Sequence, residues 1–179
     1  GFKLNINEYL VSDTFVDALN QTRTYYIWTD ADGTEHDFYP EGDSTTLFKD
    51  DDGLLLTLTV EDNEYHIEDM NHNVRTFKCT STDGNTTLAG AILESITDKD
   101  GNQLKYIYSN EGRILQVQVI PNGSTAITYL ALEYNDYGLI EQINNVGLDN
   151  APKVKFYYSN QYYGGAATSP DYRGYLKKI

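Results

Sequence analysis

The sequence predicts an all-β fold in which consecutive antiparallel β-hairpins form a long, curved sheet. The main observation is a pattern that occurs twice, over Tyr106–Val117 and over Leu132–Ile143. In each copy an aromatic-rich strand runs into a polar turn that ends in glycine, and a second apolar strand follows. Because glycine adopts the positive φ that such turns need without steric cost, each copy predicts one hairpin. The repetition then predicts hairpins laid side by side.

The composition supports the same fold class. The chain contains 16 Tyr, 14 Gly and 4 Pro, a mixture that favours strands and turns over helices. Alternating apolar and polar residues, as in Leu56–Val60 and Leu115–Val119, indicate strands with one face buried. The one plausible helical turn lies within Ser12–Gln21, where we expect a loop with a single turn.

A second turn pattern alternates with the first. Asp30–Gly33, Asp98–Gly101 and Asp69–Asn73 each join two strands, and His72 takes the position that glycine takes in the other two. We therefore expect His72 to tolerate left-handed geometry. Asp and Asn suit these turns because their side chains accept hydrogen bonds from nearby backbone N–H groups. The predicted turn-forming residues are Asp30, Gly33, Gly53, Asp98, Gly101, Gly112, Gly138 and Gly174.

The length predicts one domain, within which the repeats define two regions. Residues 1–45 form N-terminal strands that lead into the repeats, and residues 46–179 form the hairpin repeats themselves. Residues 159–173 form an irregular insertion within a repeat, because the pattern resumes at Gly174. A compact chain of this size buries roughly 70% of its unfolded surface, so its core needs no disulfide or metal.

The charge of the chain limits its partners. A net charge of −14 and a pI near 4.4 argue against nucleic acid, because phosphate binding needs clustered Lys and Arg. No apolar run approaches the roughly 20 residues that span a bilayer, so we expect no membrane insertion. Cys79 is the single cysteine, and we expect it to be a buried thiol on a strand.

The Asp-rich turns do not fit a calcium-binding loop. When Gly33, Gly53 or Gly101 is placed at the sixth position of an EF-hand, the first and twelfth positions hold no carboxylate. The three histidines are scattered, whereas zinc sites need clustered His or Cys. We predict no metal site and no cofactor, and we expect the carboxylates to stabilise the turns.

The sequence carries no motif for nucleophilic catalysis, so we predict no catalytic residue and a protein that is not an enzyme. One enzymatic hypothesis stays open, an acidic glycoside hydrolase, because that reaction needs only two carboxylates at a suitable separation. Among 27 acidic residues some pair always qualifies, so this is the third hypothesis for function.

The aromatic residues supply the second hypothesis, a carbohydrate-binding module. Trp28, Tyr157, Tyr162 and Tyr163 are its candidate glycan contacts, because flat rings exposed on a surface hold sugars by stacking. The alternative is that rings on neighbouring strands pack against one another and fill the layer between sheets. Both interpretations stay open for these residues.

The repeated stretches resemble the YD (tyrosine–aspartate) repeats of RHS-type proteins. The family pattern is aromatic-x-aromatic, a polar turn, Gly-x-Leu-x-x-Val, then Asp-x-x-Gly and a return to Tyr. It is matched at Tyr106–Val117, Leu132–Ile143 and Tyr172–Ile179, and more loosely at Phe48–Leu58. The stretch Thr29–His36 looks like the region that opens the repeat tract in secreted Gram-positive relatives of the wall-associated-protein type.

This resemblance implies the leading hypothesis, a non-catalytic structural segment of a secreted or cell-surface polypeptide with a signal peptide upstream. In that family the repeats wind into a hollow shell that encloses a C-terminal toxin or effector, so the resemblance implies an open segment of such a shell. The implied partner is the remainder of its own larger polypeptide, and the second hypothesis adds a cell-wall or host glycan. Because a cut repeat array leaves unpaired strand edges, we expect Gly174–Ile179 to fray or to pair with another copy.

Overall fold

The computed structural model describes residues 7–79, 90–146, 153–159 and 175–178. Within these residues the regular elements are all strands, and their pairings are antiparallel. The prediction of an all-β fold with antiparallel strands is confirmed. The strands are β1 (Tyr9–Val16), β2 (Thr22–Thr29), β3 (Glu35–Pro40), β4 (Leu47–Asp50), β5 (Thr57–Glu61), β6 (Glu64–Glu68), β7 (Val74–Cys79), β8 (Ala91–Thr97), β9 (Gln103–Tyr108), β10 (Ile114–Ile120), β11 (Ile127–Tyr134), β12 (Ile140–Asn145), β13 (Lys153–Lys155), β14 (Tyr157–Ser159) and β15 (Tyr175–Lys178).

The chain divides into two compact units. The first contains residues up to Tyr106 together with Ile120–Ser124, and the second contains Ile107–Val119 and the residues from Thr125 onward. Strands on both sides of residue 45 therefore belong to the first unit. Neighbouring strands follow sequence order in each unit, from β1 to β9 in the first and from β10 to β13 in the second. This is the arrangement that short hairpin connections produce.

The first unit contains a closed sheet, because its first strand also pairs with its eighth. Tyr9 pairs with Ile92 and Leu10 pairs with Ala91, which closes β1–β8 into an eight-stranded barrel. The expectation of an open, curved sheet is corrected for these strands. Closure removes the unpaired edge that β1 would otherwise expose. The second half of β8, Ser95–Thr97, pairs with β9 instead.

Alternate residues of the closed strands point inward and form the core. The strand register places Phe48 opposite Leu58, and Leu58 opposite Ile67, so these side chains share the inner face. A barrel of eight strands has an interior just wide enough for side chains to fill it. The largest fully buried side chains are Leu10, Phe38, Leu58, Ile67, Phe77 and Leu93.

The first hairpin corrects the expectation of a helical turn within Ser12–Gln21. Instead, β1 continues to Val16 and pairs with β2 along its whole length, and Asp17–Gln21 is the connecting loop. Asn20 supplies the positive φ of this loop, 60°, which Asn tolerates better than most residues. The loop lacks the glycine that marks most of the other predicted turns.

The predicted insertion lies mostly outside the described residues, and the predicted final strand lies partly outside them. Residues 160–174, with Gly174, belong to that part of the chain. Tyr175–Lys178 of the final strand form β15, which pairs with β14 in a two-stranded sheet. Pairing of this strand with another copy stays a prediction.

Candidate functional sites

The hairpin loops share one hydrogen-bond pattern, which residues 30–34 illustrate. Asp30 Oδ1 accepts hydrogen bonds from the backbone N–H groups of Asp32 and Thr34, at 2.9 Å each. The Asp30 N–H donates to the Thr34 carbonyl, and the Gly33 N–H donates to the Asp30 carbonyl. Gly33 has a φ of 88°, a conformation that favours glycine. One carboxylate therefore organises the whole loop.

This five-residue loop recurs in the described part of both units. An Asp, Asn or Ser at the first position accepts hydrogen bonds from the N–H groups of the third and fifth residues. The fourth residue has positive φ in every copy, and His72, at 62°, meets the expectation of left-handed geometry. The loops are residues 17–21, 30–34, 69–73, 98–102, 109–113 and 135–139, with Asn20, Gly33, His72, Gly101, Gly112 and Gly138 at the fourth position.

Gly53 lies in a longer loop that joins β4 to β5. Asp50 organises this loop, because its Oδ2 accepts a hydrogen bond from the Leu54 N–H and its Oδ1 accepts one from the Leu56 N–H, both at 2.6 Å. Gly53 and Leu55 both have positive φ, 76° and 59°. The carboxylate again serves the backbone of a turn.

The loop hydrogen bonds favour the charged form of the carboxylates. At Asp98 the side-chain amide of Asn102, assisted by backbone N–H groups of the loop, lowers the pKa below its ordinary value. At Asp30 partial burial raises the pKa, but hydrogen bonds from loop N–H groups and from His36 outweigh it, so the net pKa is lowered. Carboxylates held in this way are poor proton donors at neutral pH.

Trp28 belongs to a buried polar cluster at the end of the closed sheet where the β2–β3 loop lies. Its ring is 6% exposed, so it presents no free face to a glycan, and its assignment as a glycan contact is corrected. The indole Nε1–H donates a hydrogen bond to Glu8 Oε2 at 3.0 Å. The Arg75 guanidinium lies over the ring, with Cζ 5.2 Å from the ring centroid.

Glu8 is the buried carboxylate of this cluster, at 7% exposure. Its Oε2 lies 3.3 Å from Arg75 Nε, but Nε lacks hydrogen-bond geometry to any acceptor, so the contact is an ion pair. Burial raises the pKa of Glu8, and the Arg75 charge and the Trp28 hydrogen bond offset that rise only in part. Burial, with a smaller contribution from the Glu8 charge, also raises the pKa of the Tyr106 phenol.

His36 extends the cluster toward the loops. Its ring lies against the Trp28 ring with centroids 4.9 Å apart. His36 Nδ1 lies 2.7 Å from Asp52 Oδ2, and Nε2 lies 3.4 Å from Asp30 Oδ2. The indole thus touches a histidine held by two carboxylates as well as the buried ion pair.

The sequence did not identify Glu8, Arg75 or His36 as partners of Trp28. Glu8 and Arg75 are single polar residues in alternating strands, where an outward-facing position is the usual one. The available signal was the lone Trp, because a buried indole N–H usually finds an acceptor. The presence of a Trp does not indicate which residue of the chain is the acceptor.

A second aromatic group covers the outer face of β1–β3. Tyr25 and Tyr39 stack with ring centroids 5.3 Å apart and an interplanar angle of 5°. Phe15 meets Tyr39 edge to face at 5.4 Å. These rings are partly exposed, but they cover one another in the manner of cross-strand pairs. The packing interpretation therefore describes these strand aromatics.

The remaining candidate glycan contacts lie near the end of the chain. Tyr157, in β14, is 51% exposed. Tyr162 and Tyr163 lie outside the described residues. Among the candidates that the structure describes, Trp28 is buried and Tyr157 has an exposed ring.

An open cavity of about 480 Å³ lies at the opposite end of the closed sheet from the Glu8 cluster. It is lined by residues of the β1–β2 and β3–β4 loops and of the strands below them. Arg23 is one of the lining residues. Its Nη1 lies 3.1 Å from Asp43 Oδ1, and its Nη2 donates a hydrogen bond to the Gly42 carbonyl at 2.6 Å. Tyr26, Pro40 and Phe48 form its apolar floor.

The described ranges contain three histidines and one cysteine, the usual ligands of zinc. No group of three or more His, Cys, Asp or Glu side chains is placed there to hold a metal ion. No helix in those ranges has the length and apolar character needed to cross a membrane. Cys79 is a free thiol that is half-buried rather than fully buried as expected.

Comparison with known proteins finds no matching family model and no matching curated protein. Fold and site geometry alone therefore define the class of the chain. It is an all-β protein of sequential antiparallel hairpins, whose first eight strands close into a barrel with a polar cluster at one end and a cavity at the other.

Proposed function

We propose that the chain is a non-catalytic structural segment of a secreted or cell-surface YD-repeat protein. In this proposal it acts as scaffold, or as part of a shell around a C-terminal toxin or effector of the same polypeptide. The observation that carries the proposal is the recurring five-residue loop with its Asp, Asn or Ser acceptor. Repetition of one connecting unit is typical of chains that extend a sheet hairpin by hairpin.

The use of the acidic side chains supports a structural role. Asp30, Asp69 and Asp98 accept hydrogen bonds from their own loops, which leaves fewer oxygen lone pairs free for a substrate. The one deeply buried carboxylate, among the described residues, belongs to Glu8 and is paired with Arg75. The three loop carboxylates stabilise turns, and their lowered pKa makes them poor proton donors at neutral pH.

In this proposal the closed sheet lies at the start of a repeat tract. Terminal repeats need a cap, because the first strand of an array has no neighbour on one side. Here β1 finds that neighbour in the first half of β8, while the second half of β8 pairs with β9. On this proposal β1–β8 cap the tract and β9 begins its continuation.

The proposal is tested with antibodies against this chain and with the purified chain itself. In cells that make the full polypeptide, the antibodies should detect it outside the membrane, and external protease should remove it. The purified chain should not turn over any polysaccharide in a broad panel of neutral and acidic substrates. Cytoplasmic retention would contradict the assigned location, and turnover abolished by one Asp or Glu substitution would replace the proposal with a glycoside hydrolase.

Carbohydrate binding is the second candidate, and the exposed Tyr157 ring favours it. Aromatic rings with an apolar face and a polar edge suit ligands that have both characters. Binding of cell-wall oligosaccharides that is lost in Tyr157→Ala would support this candidate. Binding that persists in Tyr157→Ala would exclude this ring as the contact.

A further inference from the structure

We propose that the cavity at the β1–β2 and β3–β4 end of the closed sheet binds a small neutral saccharide. The proposal shares its ligand class with the second candidate function but rests on different residues. The volume of about 480 Å³ falls in the range of small-molecule sites, roughly 300–1,000 Å³. The cavity also lies at the mouth of a barrel, where ligand sites are common.

The floor of the cavity is apolar and held in place by aromatic packing. Tyr26 and Phe48 meet edge to face with centroids 4.8 Å apart, and Tyr26 also contacts the Tyr65 ring at 5.5 Å. All three rings are buried, so their positions are fixed by the barrel core. Because Tyr26 is 8% exposed and Phe48 2% exposed, these rings present little of their faces to a ligand and serve to fix the base of the cavity.

The walls of the cavity carry short polar side chains. Hydroxyl and amide groups can both donate and accept hydrogen bonds, as the hydroxyl groups of a sugar require. Thr24 and Thr45 are exposed side chains of this wall. The polar wall residues are Gln21, Thr22, Thr24, Ser44 and Thr45.

The charges at the cavity favour a neutral ligand. Arg23 is the one cation of the lining, and its Nη1 faces two carboxylates, Asp43 at 3.1 Å and Asp17 at 3.8 Å. Its Nη2 donates a hydrogen bond to the Gly42 carbonyl. An anionic ligand would meet an arginine whose charge is already balanced, in a protein with a net charge of −14. Hydrogen bonding rather than charge is therefore the basis of recognition.

The test is a titration of the isotopically labelled chain, followed by the shifts of its backbone amide resonances. The probes are D-glucose, D-galactose and N-acetyl-D-glucosamine, compared with the charged D-glucuronate and D-glucosamine. A neutral sugar should shift the resonances of cavity residues and bind more tightly than its charged counterpart. Absence of such shifts with every neutral probe, or tighter binding of a charged probe, would overturn the proposal.

Two matched variants locate the site. Thr45→Trp places an indole in the mouth of the cavity and should weaken binding by roughly tenfold or more. Thr46→Trp changes the neighbouring exposed residue, which does not line the cavity, and should leave the affinity unchanged. Equal affinities in the two variants would refute the cavity as the site.

A second pair of variants separates this proposal from the second candidate function. Thr24→Val keeps the shape of the wall but removes one hydroxyl group, and should weaken binding by roughly fivefold. Tyr157→Ala should leave cavity binding intact. Binding that is lost in Tyr157→Ala and kept in Thr45→Trp would favour the exposed ring and reject the cavity.

Discussion

Glu8 and Arg75 meet inside the closed sheet, with Glu8 Oε2 3.3 Å from Arg75 Nε. The contact joins the residue just before β1 to β7, and the Glu8 carbonyl accepts a hydrogen bond from the Leu93 N–H of β8 at 3.3 Å. Glu8 therefore lies where the sheet closes. A buried ion pair adds little to stability compared with apolar residues, but loss of one partner leaves a buried charge unpaired.

The first prediction concerns this pair. Glu8→Ala should lower the free energy of unfolding by about 3 kcal/mol, because the Arg75 guanidinium loses its opposite charge and the Trp28 N–H loses its acceptor. The double variant Glu8→Ala, Arg75→Met should be more stable than the sum of the two single changes indicates. Urea denaturation of the four proteins measures this coupling, and additive effects would show that the two side chains do not interact.

The second prediction concerns the pH dependence of the same carboxyl. Because burial raises the pKa of Glu8 above 4.5, its contribution to stability is complete below that pH and is lost as the pH rises through the folded-state pKa. The stability of the wild type relative to Glu8→Gln should therefore fall as the pH rises above 4.5. Denaturation midpoints at a series of pH values measure it, with Glu41→Gln on the exposed β3–β4 loop as the matched control. A stability difference between the wild type and Glu8→Gln that increases with pH would contradict a raised pKa for Glu8.

The third prediction concerns the acceptor of a five-residue loop. Asp69 Oδ1 accepts hydrogen bonds from the N–H groups of Asn71 and Asn73, at 2.8 and 3.0 Å. Asp69→Ala should cost about 1 kcal/mol of unfolding free energy, and Asp69→Asn should cost less because it keeps an acceptor oxygen. Thermal denaturation distinguishes the two variants. Equal losses would mean that the loop does not depend on this acceptor.

The same carboxyl should respond to acid. Burial raises the pKa of Asp69, but the Asn73 amide and the loop N–H groups outweigh it, so the net pKa lies below 3.8. The stabilisation is present above pH 3.8 and is lost as the pH falls through the folded-state pKa. The difference in free energy of unfolding between the wild type and Asp69→Ala should therefore decrease in strong acid.

The fourth prediction concerns the left-handed position of the loops. An added Cβ at Gly33 would meet no atom within 4 Å, so Gly33→Ala isolates the backbone strain and should cost about 1 kcal/mol. His72 occupies the equivalent position with a φ of 62°, so His72→Gly should relieve strain there. Its gain is reduced by loss of the His72 contact with Glu68 at 2.6 Å. Calorimetric melting temperatures should shift in opposite directions, and a lower value for His72→Gly would contradict the strain argument.

The local parts of this fold could be predicted from the sequence. In the five-residue loops, each glycine at the left-handed position has an Asp, Asn or Ser three residues earlier, as in Asp98 with Gly101 and Ser109 with Gly112. Turn and strand are both specified within a few residues, so a local pattern is sufficient. Asp17 and Asn20 have the same spacing, but this loop lacks the glycine that marks most of the predicted turns, and its hairpin was missed.

The closure of the sheet could not be predicted in this way. It depends on Leu10 pairing with Ala91 and Tyr9 with Ile92, residues that share no motif and are far apart in the chain. The Glu8 cluster depends on that closure, because it brings β1 and β7 to one interior. Trp28 illustrates the difference, since the sequence marks an aromatic strand but not which face of it is enclosed.

The join between β1 and β8 is short, two residue pairs against eight between β1 and β2. It is also the least local contact of the ring, so it carries the largest loop-closure entropy and should form last during folding. A molecule that opens there exposes two complementary edges, each of which fits the opposite edge of another opened molecule. Exchange of these edges offers a route to linear polymers, which would appear as oligomers that form only after partial denaturation and grow with protein concentration.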